Sequence, residues 1–130
     1  MNYYFSTTLD LPFDEVLEHV VGALKAEGFG VLTEIDVKAT LKKKLDVDVS
    51  PYVILGACNP TVAHQALQAE PQVGLLLPCN VVLQEEGGDI VVSIASPRAL
   101  FQLIEGEGLE PLVEEMEGRV KRALESLQGS

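Results

Sequence analysis

The sequence predicts an α+β fold, a mainly antiparallel sheet with helices packed on one face, and three observations carry that expectation. Apolar residues recur at helical spacing near both ends of the chain. The middle holds apolar runs rich in β-branched residues. Between two such runs lies "EEGGD", where Gly87-Gly88 supplies the positive φ angles of a tight hairpin turn. A helix with one apolar stripe must cover that stripe, and the surface available is the sheet.

Residues 3 to 9, "YYFSTTL", read as a first strand. In "PFDEVLEHVVGALKAEGFG" the period changes. Phe13, Val16, Leu17, Val20, Val21 and Leu24 share a helical face, Pro12 suits the first turn, and Gly28 or Gly30 suits the C-terminal cap. "GVLTEID" is a second strand, and Asp36 can cap a short helix through "VKATLKKKL". Only Glu70 is formally charged between Val49 and Gln84, so this segment is expected to be mostly interior. It reads as the strand "YVILGAC", a helix from Pro60 to about Ala69, an extended "VGLLL" and the first arm of the hairpin "NVVLQEE-GG-DIVVSIA". "PRALFQLI" is a short helix or turn. Residues 109 to 127 form the clearest helix, with Leu109, Leu112, Val113, Met116, Val120, Leu124 and Leu127 on one stripe.

A chain of 130 residues fits a single domain over 1–130, large enough for one hydrophobic core. No apolar run reaches the roughly 18 residues of a membrane helix, and the N-terminus shows no basic start followed by an apolar stretch. A cytoplasmic protein without membrane contact is the expectation. The net charge is −11, from 20 acidic and 9 basic residues, which repels phosphate backbones and disfavours nucleic acid as a partner. Lys38, Lys42, Lys43 and Lys44 concentrate four of the nine bases, and such a run is usually a solvated face. Seven acids lie between Glu105 and Glu125.

The pair Cys-Asn occurs twice, in "YVILGACNP" and "GLLLPCNVVL". If the two strands are antiparallel neighbours, Cys58 and Cys79 meet at one end of the sheet. There is no CxxC motif, and two cysteines in a cytoplasmic chain are expected to be reduced. Asn59 followed by Pro60 is an N-cap followed by a favoured first helical position. Asn80 has no such explanation. In an apolar strand start its amide must bond backbone or face a cavity, because an unpaired buried amide costs roughly 1–3 kcal/mol. Tyr52 shares a strand face with Ile54, Gly56 and Cys58, and Gly56 leaves a gap beside the thiol. That gap is either filled by a packed helix side chain or is a pocket. His64 lies near these motifs on the polar side of its helix, and His19 lies on the polar side of the first helix. Cys58, Cys79 and His64 are a weak metal set, since zinc ligands are usually closer in sequence.

The segments "EIDVKATLKKKLDVD", "YVILGACNP", "AHQAL" and "GLLLPCNVVL" resemble the bacterial and archaeal domain of unknown function 302 family over about residues 3 to 100. The resemblance implies a fold similar to one repeat of the TATA-box-binding protein, a β-α-β4-α core with extra short helices. It implies no DNA binding, reaction or cofactor.

These readings make the protein a small, homodimeric ligand-binding or interaction domain, with candidate binding residues Tyr52, Cys58, Asn59, Cys79 and Asn80. A homodimer would cover the sheet face left open by the helices. One alternative is a thiol-based redox protein or enzyme using Cys58 and Cys79, and a second is a metal-binding domain. No triad, phosphate-cradling loop, HExxH or paired-carboxylate motif is found, so no enzyme class and no cofactor is assigned. The sequence does not identify a ligand.

Overall fold

Five strands form one antiparallel sheet in a computed structural model that describes residues 2–104 and 108–128. Glu105 and Glu107 of the acidic run lie outside them. The strands are β1 (Tyr4–Leu9), β2 (Gly30–Asp36), β3 (Tyr52–Cys58), β4 (Cys79–Glu86) and β5 (Asp89–Ala95), and their spatial order is β1-β5-β4-β3-β2. The helices are α1 (Phe13–Ala26), α2 (Val37–Leu45), α3 (Pro60–Ala69), α4 (Pro97–Phe101) and α5 (Glu110–Gln128). With α2, α3 and α4 set aside as additions, the order is β-α-β4-α.

Local chemistry accounts for most element ends. Helix α1 ends in a Schellman arrangement: Gly28, at φ +85°, donates its N–H to Lys25, and Phe29 donates to Leu24 at 2.9 Å. Only glycine takes that conformation without strain, and it turns Phe29 into the core, where it is 2% exposed. Pro12 occupies the cap position of α1, just before its first turn. Asp36 caps α2 by accepting the Ala39 N–H at 2.9 Å. Both Gly87 and Gly88 have positive φ, as the β4–β5 hairpin requires.

Strand alternation then sorts the side chains. Val53, Leu55, Ala57, Val81, Leu83, Ile90, Val92 and Ile94 face inward. Val16, Val20 and Leu24 of α1 and Val120, Ala123, Leu124 and Leu127 of α5 cover them. Each buried aliphatic side chain contributes roughly 1.5–3 kcal/mol relative to exposure, so this layer is the main source of stability. Gln128 ties the end of α5 to β1, its Nε2 donating to Thr7 Oγ1 at 2.9 Å. A smaller cluster of Ala66, Val73 and Leu109 lies under α3 and the start of α5.

Two expectations need correction. "VGLLL" is not extended: Pro71–Leu76 forms a 3₁₀ helix, started by Glu70, whose carboxylate accepts the Gln72 N–H at 3.0 Å, and by Pro71 in its first turn. The uncharged segment from Val49 to Gln84 is also less interior than its composition suggests. Leu75 is 83% exposed and Leu67 41%, because one face of α3 and of the 3₁₀ helix turns to solvent. Only Val62, Ala66 and Val73 of this excursion are buried.

Candidate functional site

The two Cys-Asn motifs sit at the same rim of the sheet, on neighbouring strands. Register is the decisive detail: Cys79 pairs with Ala57, and Cys58 pairs with Gly30 on the other side. The cysteines are therefore diagonal neighbours one residue out of phase, and alternation starts their side chains toward opposite faces. Both are free thiols. Cys79 packs against the core, its thiol 4.0 Å from the carbonyl oxygen of Ala95, and burial pushes the thiol up to about 11. At neutral pH it is protonated and a poor nucleophile.

Asn59 caps α3, its Oδ1 accepting the Val62 N–H at 3.2 Å, and it is 8% exposed. A side chain at Gly28 would come within 3.0 Å of its Nδ2 and within 3.3 Å of Arg119 Nη1, so the end of α1 closes over this cap. Arg119 holds that end in place by donating to the Glu27 carbonyl at 2.8 Å. The sequence offered no signal for this contact, which spans 92 positions.

Cys58, Asn59 and Cys79 border one cavity with Val62, Leu77 and Met116. Its volume is about 40 Å³ and its lining almost wholly apolar. Ligand sites are typically about 300–1,000 Å³. This end of the sheet is packing with a small void, too small for a metabolite. Among the described residues no three His, Cys, Asp or Glu side chains gather as a metal set, so Cys58, Cys79 and His64 are not assembled as one. His64 and His19 are solvent-exposed. Lys42 of the lysine run is paired with Asp46 at 2.9 Å and Asp48 at 3.5 Å.

Tyr52 and Asn80 fall elsewhere, on the sheet face away from α1 and α5, which Leu100 of α4 also reaches. There they border a groove of about 560 Å³ shared with Tyr3, Tyr4, Gln84 and Ser93. Gly56 is on this face too, and its gap is filled, though not by a helix. A Cβ there would meet Thr33 Oγ1 and lie 2.7 Å from the Pro78 ring. Tyr3 and Tyr4 stack edge-to-face with centroids 5.0 Å apart. These two tyrosines and Gln84 and Ser93 were not singled out in the sequence. The available signal was the alternation of "DIVVSIA", which turns Val91, Ser93 and Ala95 away from the buried Ile90, Val92 and Ile94.

A family profile described as a domain of unknown function, DUF302, matches residues 5–127. The chain belongs to the DUF302 family. The match includes the C-terminal helix, beyond the stretch that carries the sequence resemblance. The solved structure of an uncharacterized conserved DUF302 protein from Bacillus stearothermophilus has the same fold, with a TM-score of 0.88 and 29% identity. The similarity covers 96% of this chain and 98% of that one. No curated protein matches the chain. Among the described residues no helix of this DUF302 protein is long and apolar enough to cross a membrane.

Proposed function

We propose that this DUF302 protein is a binding domain that takes a small uncharged ligand on the open face of its sheet. The observation that carries the reading is the position of the tyrosines. The chain has three and no tryptophan, and all three border the one groove. Tyrosine offers a rigid apolar ring with a hydroxyl at its tip, the combination that binding sites favour. Asn80 and Gln84 add side-chain amides, which both donate and accept. Among the described residues no Lys, Arg or His borders the groove, so it offers no positive charge to a phosphate or carboxylate.

The test exploits the missing tryptophan, since intrinsic emission comes from tyrosines that all border the groove. In a screen of neutral compounds, ligands are expected to change tyrosine emission, and Asn80→Ala to weaken them about fivefold, one lost hydrogen bond. Ligands that leave the emission unchanged and ignore Asn80→Ala would place binding elsewhere.

A homodimer is a second reading, favoured by an apolar patch on the β2 side of the same face. Ile35 is 48% exposed and pairs across the ladder with Ile54. Sedimentation of the native chain and of Ile35→Asp would test it: a dimer that the substitution separates supports it, and a native monomer removes it. The thiol alternative draws no support from Cys79 and would rest on Cys58 alone.

A further inference from the structure

We infer that the ligand of the open face is a linear, neutral oligosaccharide lying diagonally across β1, β5, β4 and β3. This rests on the open-face reading and narrows it. The first ground is dimension. Tyr4 pairs with Ala95, and the ladder continues through Asn80 to Gly56 on β3, four residues from Tyr52. Three strand spacings one way and four residues the other put Tyr4 and Tyr52 roughly 20 Å apart. A single compact ring cannot touch both. A short chain of rings can, with one end against the Tyr3–Tyr4 pair and the other against Tyr52.

The second ground is the floor between them. The hydroxyls of Ser6 and Ser93 and the amides of Asn80 and Gln84 interleave with Val82 and Val91. Sugar rings present hydroxyls that donate and accept along their edges and C–H groups on their flat faces. Amides and hydroxyls meet the first, and short aliphatic and aromatic side chains meet the second. An amphipathic helix from a partner needs a continuous apolar stripe, which Ser93 and Gln84 interrupt. The third ground is charge. Among the described residues the groove has no cationic side chain and one carboxylate, Glu86, on a chain of net charge −11, which turns away nucleotides, sugar phosphates and uronates.

The experiment titrates the native ¹⁵N-labelled chain with cello-, malto- and fully N-acetylated chito-oligosaccharides, from monosaccharide to hexasaccharide, following amide shifts and tyrosine emission. In at least one series the affinity is expected to rise about tenfold with length before levelling, as the second aromatic end is reached. Shifts should extend from Tyr4 through Ser93 to Tyr52. Tyr52→Ala should flatten the length dependence and Tyr52→Phe should preserve it. Affinity independent of length overturns the inference. So does a groove that responds to compact planar rings but to none of the three series, an outcome that leaves the open-face reading intact. A groove silent to glycans and to every other neutral compound ends both.

Discussion

The dipeptide Cys-Asn occurs twice at one rim of the sheet and meets opposite environments there. In the first copy the amide is buried and structural: Asn59 caps α3 under the closed end of α1. In the second copy the thiol packs inward, while Asn80 is exposed on the open face. One residue of register offset makes the difference. Cys79 follows the inward phase of β4, set by Val81 and Leu83, so Asn80 must point outward. Identical letters thus give a helix cap at one place and a groove residue at the other.

The strongest way to break this contrast is through Cys79. Burial lifts its folded-state pKa to about 11, above the 9.0 of an ordinary thiol. The folded state therefore holds the proton more tightly, and its stabilising effect is complete below pH 9. As pH rises from 9 to 11 the unfolded thiol ionises first, and stability should fall by about 2–3 kcal/mol. Urea midpoints across that range should show the decline, and Cys79→Ala should remove that part of it. An unchanged alkaline limb in the variant would mean that Cys79 is not buried as described.

Gly56→Ala comes next. Its Cβ would be driven against the Pro78 ring and the Thr33 hydroxyl, an overpacking expected to cost about 2 kcal/mol. A denaturation midpoint equal to that of the native chain would show that the gap beside the strand is open after all. The smallest effects sharpen the comparison of the two amides. Asn59→Ala should cost about 1 kcal/mol as a lost cap, whereas Asn80→Ala should stay within about 0.5 kcal/mol of the native protein, as an exposed position does. Equal losses in paired thermal melts would erase the distinction between cap and groove residue.

Much of the architecture was readable because its causes are local. Asp36, Asn59-Pro60, Gly28 and Gly87-Gly88 act on backbone within a few residues of themselves, and the elements they delimit lie close to where their chemistry puts them. The excursion between α3 and β4 was harder. Apolar composition alone does not separate a strand from a 3₁₀ turn, nor a covered leucine from Leu75, which faces solvent.

The candidate site divides in the same way. The sequence alone determined that Cys58 and Cys79 reach one end of the sheet, and that Asn59 caps a helix while Asn80 needs another explanation. Tertiary structure alone decided that this end closes to about 40 Å³ and that Tyr52 and Asn80 share a groove with Tyr3 and Tyr4. The reason is the sheet order. It places the first strand beside the last, and so brings residues nearly fifty positions apart onto one sheet face, a relation that no local propensity encodes.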